Sequence, residues 1–156
     1  MMSRPIAEPE LDELYRELLL DHYRHPRHKG ALAQATAKAE GFNPLCGDEI
    51  AVDIEVEDGV IKDVAFRGRG CSISQASGSM MTDAVIGHTK DEALALLGAF
   101  KQMMTEPDKY PGDALGDLEA FQGVAKFPVR VKCATLAWHV LEEGLERSDG
   151  EADSGN

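Results

Sequence analysis

This chain has little cysteine, little basic charge and no long hydrophobic run, and each shortage excludes something. Three cysteines in 156 residues, Cys46, Cys71 and Cys133, cannot all pair with one another, and their wide separations match no short zinc-ribbon spacing. A secreted disulfide scaffold is therefore not expected, and the thiols are read as reduced, in the cytoplasm. Lysine and arginine number 16 against 28 aspartates and glutamates, leaving a formal net charge of -12. A phosphate-rich partner needs a basic face, so no nucleic-acid or membrane-surface partner is expected, and proteins or metals are expected instead. The opening MMSRPIAEPELDEL lacks the basic segment and apolar run of a signal peptide. No stretch of about 18 apolar residues exists to cross a bilayer. Gly68-Arg69-Gly70 is followed by no Gly-Lys-Ser/Thr and sits in no βαβ unit, so a turn is a better reading there than a nucleotide loop.

What is present is the pattern of one domain of ordinary size. Residues 1–10 and 147–156 are polar and read as a flexible N-terminal tail and a disordered C-terminal tail around a single domain at 11–146. Leu11, Leu14, Tyr15, Leu18 and Tyr23 follow helical spacing until His25-Pro26 stops it. Ile50, Val52, Ile54 and Val56 alternate with Ala51, Asp53, Glu55 and Glu57, and Asp58-Gly59 turns the chain into VIKDVAFRG, a hairpin with one wet face. A helix over 73–87 follows, with Ile73, Ala76, Met80 and Ala84 on one stripe. Thr89 and Glu92 have capping-box spacing at the head of the next helix, whose stripe is Ala93, Leu94, Leu97, Phe100 and Met104. The segment 105–117 reads as an excursion with a short helix after it. Phe127-Pro128 opens a long last helix with Val129, Cys133, Leu136, Val140 and Leu141 inward. The fold class is α+β: a small antiparallel sheet of about three strands with helices packed on one face.

Each cysteine adjoins an irregular or terminal piece of this plan. Cys46 is in a loop before the hairpin, Cys71 is where strand hands over to helix, and Cys133 is in the first turn of the last helix. Free N-H groups at a helix start suit an anionic sulfur. Gly47 lets the chain turn so that Cys46 and Asp48 can face one ion. Three thiolates and one carboxylate form a closed tetrahedral set that suits zinc. Such a site would carry a formal charge of about -2, since +2 from the metal meets -4 from its ligands, and it calls for nearby cations. Arg130 and Lys132 flank Cys133, and Arg67 and Arg69 lead into Cys71. The plain alternative is three inert core thiols, because cysteine is commonly buried and Cys133 is on an apolar stripe. A lone nucleophilic cysteine with a histidine base finds no support, since no arrangement singles out one of the five histidines. The methionine pairs Met80-Met81 and Met103-Met104 read as core filler.

The blocks LYRELLLDHYRHPRHKG, FNPLCGDEI, FRGRGCSISQASGSMM and FPVRVKCATLAWHVLEEGL resemble the SufU branch of the IscU-type iron-sulfur cluster assembly proteins, in order from Leu14 to Leu145. The resemblance implies one Zn2+ held by Cys46, Asp48, Cys71 and Cys133. It also implies Arg130 beside the metal site, and Cys46 as the acceptor of persulfide sulfur from a SufS-type cysteine desulfurase. A histidine of the desulfurase would take a zinc position and free Cys46 to attack. Downstream iron-sulfur assembly proteins would receive the sulfur. The alternative within the family is a scaffold that builds and donates a [2Fe-2S] or [4Fe-4S] cluster. Three features point away from the scaffold branch. Lys132 stands where scaffolds carry histidine, and a protonated amine cannot ligate a metal. Lys126-Phe127-Pro128-Val129-Arg130 replaces the Leu-Pro-Pro-Val-Lys chaperone segment, and the interval from Cys71 to Cys133 is long. The implied role is that of a sulfur acceptor and carrier resembling a zinc-dependent sulfurtransferase, rather than a free-standing enzyme.

Overall fold

The computed structural model describes residues 3–44, 47–110, 112 and 115–154, and for 3–12 and 148–154 only the course of the backbone. Helix α1 (Ser3–Arg24) leads into strands β1 (Ala37–Asn43), β2 (Asp48–Glu57) and β3 (Val60–Arg69). Helices α2 (Ser72–Val85), α3 (Lys90–Thr105) and α4 (Pro128–Ser154) follow, with 3-10 segments at Pro107–Lys109 and Gly116–Lys126. Helical backbone thus extends into both stretches that composition reads as tails.

The sheet has the order β1-β2-β3 and is antiparallel throughout. The hairpin forms where its alternation and its turn residues agree: Asp58 and Gly59 both adopt positive φ, 57° and 78°, the geometry a two-residue turn demands. Strand β1 escapes a sequence reading because its inward residues, Ala37 and Ala39, are small and its apolar Phe42 is 58% exposed. Its pairing with β2, from Ala37 opposite Ile54 to Asn43 opposite Asp48, supplies what its side chains do not.

Helix α4 lies across β1 and β2 and against α2, which also packs on β3 and α1. The core runs through Ile50, Val52 and Ile54, Met80 and Met81, Met103 and Met104, into the α4 stripe of Cys133, Leu136, Val140 and Leu141. The methionines are core residues, as their spacing indicates. Trp138 stacks on Phe100 with ring centroids 4.7 Å apart, and Phe121 meets Phe100 edge-on at 5.6 Å. The Thr89–Glu92 capping box closes both ways at the head of α3.

Two details depart from the sequence pattern. The outer face of the sheet is partly covered, because the chain at 29–36 crosses it. Gly30 N-H donates to Phe66 O at 2.8 Å and Thr36 N-H to Ile54 O at 2.7 Å. Beneath it Asp53 is fully buried, its Oδ2 accepting from Leu32 N-H and paired with Arg67, each at 3.1 Å. Three apolar residues on expected inward stripes instead face solvent: Leu14 is 65%, Tyr23 45% and Val129 57% exposed. Each sits toward an end of its stripe, where the neighbouring elements no longer cover the helix.

Helix α1 is pinned to α2 by His22, whose Nδ1 is 2.7 Å from Ser79 Oγ. That hydroxyl also accepts from Arg27 N-H at 2.8 Å, so its own hydrogen is placed to donate to a neutral imidazole. Burial holds the His22 imidazole below its ordinary value, and the Arg27 charge acts in the same direction. The folded state therefore prefers neutral His22. Its contribution is complete above the unfolded value of about 6.5 and is lost as pH falls from there through the lower folded value.

Two outcomes are expected. Phe100→Ala, which empties the centre of the aromatic cluster, will lower unfolding free energy by about 3–5 kcal/mol in urea titrations. Between about pH 7.5 and pH 5 the urea midpoint of the wild type will fall further than that of His22→Gln.

Candidate metal centre

The end of the hairpin brings the chemistry together. Strand β2 starts at Asp48, which is fully buried at the same end of the sheet as the last residues of β3. Gly70 and Cys71 then link β3 to α2, Cys71 being the N-cap residue of that helix with no side-chain cap bond. Asp48 Oδ1 accepts the Cys71 N-H at 2.9 Å, and Asp48 Oδ2 is 3.9 Å from Cys71 Sγ. Cys133, six residues into α4 and fully buried, completes a cluster: ligand atoms of Asp48, Cys71 and Cys133 all lie within 4.8 Å of one another. It is the one such cluster of three or more metal-ligating groups among the described residues.

Of the four residues the sequence singles out as ligands, the structure thus brings three together across 85 positions of chain. Cys46 lies outside the described residues. The residues on either side of its segment are tied together, Gly47 N-H donating to Asn43 O at 2.8 Å, and Asn43 pairs in register with Asp48. Cys133 is in the second turn of α4 rather than the first.

The donor set fits zinc. Donors around a tetrahedral zinc, with zinc–sulfur bonds near 2.3 Å, stand roughly 3.5–3.8 Å apart; the Asp48–Cys71 pair is at 3.9 Å and the whole set lies within 4.8 Å. One oxygen of Asp48 is engaged by backbone and the other is turned to the Cys71 sulfur, the division that a single-oxygen ligand requires. Two sulfurs with one carboxylate are a soft-rich set that magnesium or calcium does not favour. Were all three groups anionic, each pair would repel by about 3.5 kcal/mol or more at an effective dielectric near 20. A divalent cation removes that repulsion.

Arg67 pairs with buried Asp53, and Arg69 is 81% exposed and 3.5 Å from Glu49. Arg130 makes no hydrogen bond or ion pair to Asp48, Cys71 or Cys133 among the described residues; it lines a groove beside Ser72 and Ile73. Lys132 is exposed.

Two supporting residues were not recognised from sequence. Ser74, fully buried, donates from Oγ to Cys71 O at 3.1 Å and so fixes the bend that presents the sulfur; its spacing three residues past Cys71 was the available signal. Gly70 has φ 157°, and a Cβ there would collide with Asp48 Oδ1 and come within 2.7 Å of Ser74 Oγ. Only glycine lets the chain pass this close to the carboxylate.

The family model for the NifU-like N-terminal domain matches residues 14–145. The chain belongs to this family. Among curated relatives, it is 44% identical over 140 residues to the zinc-dependent sulfurtransferase SufU of Bacillus subtilis, covering 90% of this chain and 95% of that one. It is 46% identical over 143 residues to the iron-sulfur cluster assembly scaffold protein IscU of Streptococcus pyogenes, covering 92% and 89%. Among solved structures, the N-terminal part of a nitrogen-fixing NifU-like protein from Brucella abortus superposes with a TM-score of 0.81 at 28% identity, over 90% of this chain and 98% of the other. The IscU/SufU-like architecture read from the sequence is thus the architecture found. No helix among the described residues is long and apolar enough to cross a membrane.

Gly70→Ala is expected to keep the helical circular-dichroism signal while zinc per chain, measured by elemental analysis after purification, falls to less than half that of the wild type.

Proposed function

We propose that this chain is a zinc-dependent sulfur acceptor in iron-sulfur cluster assembly, taking persulfide sulfur from a SufS-type cysteine desulfurase on Cys46. The observation that carries the reading is the Asp48–Cys71–Cys133 donor set, two of its members buried and Cys71 half-buried, which needs one further ligand to close a tetrahedron. Cys46, two residues before Asp48, is the remaining cysteine of the chain. Likeness to the Bacillus subtilis sulfurtransferase over nine-tenths of the chain supports the same conclusion.

In this reading Asp48, Cys71 and Cys133 are the permanent ligands. The burial of Asp48 and Cys133 holds those two in place, and half-buried Cys71 is held by its N-H bond to Asp48 and the Ser74 bond to its carbonyl. Bound zinc would supply charge neutralisation and keep thiols deprotonated. Cys46 falls in sequence between the end of β1 and the start of β2, next to Gly47. Its thiolate attacks the terminal sulfur of the desulfurase persulfide. The donor S-S bond breaks as a new one forms on Cys46, and the donor cysteine leaves as a thiolate that takes up a proton. No electron is gained or lost overall. Downstream assembly proteins are the recipients.

The second reading, a scaffold that assembles a cluster, is favoured by the names of relatives such as the Streptococcus pyogenes protein. Exposed Lys132 directly before Cys133 weighs against it, because lysine is not among the cysteine, histidine and carboxylate groups that hold such metals.

Protein purified without oxygen or added metal is expected to hold about one zinc per chain with negligible iron and acid-labile sulfide. Cys46→Ala is expected to keep the fold but to abolish stimulation of desulfurase turnover in the absence of reductant. Stoichiometric iron with sulfide, or a Cys46→Ala protein that still stimulates, would move the assignment to the scaffold.

A further inference from the structure

A groove of about 550 Å³ opens between α1, the 3-10 segment Gly116–Lys126 and the start of α4. Its apolar floor includes Leu19, Ile73 and Phe127, and its bases are Arg16, Lys126 and Arg130. None of its lining residues among those described is acidic, in a chain of net charge -12. The three bases enter no ion pair or side-chain hydrogen bond among the described residues, whereas Arg67 and Arg69 are already paired with Asp53 and Glu49. The groove adjoins the metal centre: Ser72, on its wall, follows Cys71, and Arg130 lies three residues before Cys133. Phe127 is 59% exposed, and the stray apolar residues Leu14 and Val129 are chain neighbours of the lining residues Tyr15 and Arg130. Aromatic, apolar and arginine side chains collected on one face are the composition of a protein interface centre.

We propose that this groove is where the sulfur-donating desulfurase docks, by inserting a bulky apolar side chain flanked by carboxylates. The inference rests on the sulfur-acceptor reading and gives it a geometry. Unpaired cations select a carboxylate-bearing segment out of solution. The apolar floor retains it, and its place beside Cys71 and Cys133 brings the partner's persulfide to the metal centre. The rest of the acidic surface repels the same partner, so encounter is funnelled to this face.

The test uses the zinc-loaded full-length chain with a SufS-type desulfurase, binding being measured by calorimetry and biolayer interferometry at low and physiological salt. Arg16→Gln/Lys126→Gln is expected to weaken binding roughly tenfold, chiefly through slower association at low salt. Phe127→Ser is expected to speed dissociation, and Lys62→Gln, a base at the far turn of the hairpin, to bind like the wild type. Zinc content and far-ultraviolet circular dichroism of each variant check that the fold is kept. Folded groove variants with wild-type affinity would overturn the inference, leaving the sulfur-acceptor reading intact if the wild type still binds and takes up sulfur. A wild type that neither binds the desulfurase nor accepts sulfur would overturn both. A double variant that dissociates a homodimer without changing desulfurase affinity would assign the groove to a second copy and overturn the inference as well.

Discussion

The hydrogen bond from the Cys71 N-H to the buried carboxylate of Asp48 is the contact on which the rest of the candidate centre depends. It joins the first residue of β2 to the residue that caps α2, across 23 positions of chain, at the same end of the sheet. An aspartate taken wholly out of water is costly unless its oxygens are satisfied. Here one oxygen is answered by the Cys71 backbone and the other by the Cys71 sulfur at 3.9 Å. Gly70 makes the bond feasible by removing the one carbon that would stand between strand and carboxylate.

The packing of α4 decides the third ligand. Cys133 reaches the cluster because α4 lies across β1 and β2 with its inward stripe against them and against α2. The same seating puts Arg130, one turn earlier, outside the cluster and into the groove with Arg16 and Lys126. One helix placement thus separates two regions: a largely buried donor set inside and a basic, apolar groove next to it. The chain's charge sharpens that separation, because no described lining residue of the groove is acidic and several bases elsewhere are already in ion pairs.

Some of this was legible before any coordinates. The hairpin follows from period-two alternation with Asp58-Gly59 between the halves. Helix α3 follows from Thr89, Glu92 and a regular stripe, and the methionine pairs read as core because they recur at helical spacing. These features are local, and their physics acts within a few residues. Strand β1 was not legible, since alanines and glycine carry too weak an apolar signal and its stability comes from partners on β2. The exposure of Leu14, Tyr23 and Val129 was equally hidden: periodicity says which residues share a face, not whether anything covers it.

The sequence by itself determined the residue types of the candidate centre, the order of its elements and, through the spacing of glycines, cysteines and Asp48, the family. Only the tertiary structure decided that Asp48, Cys71 and Cys133 meet within 4.8 Å, that Arg67 and Arg69 answer other carboxylates, and that three bases with no ion pair among the described residues share one apolar groove. The reason is one of range. Turns, caps and stripes are set by neighbours along the chain, whereas ligand convergence and charge pairing depend on how helices and sheet close around a common core.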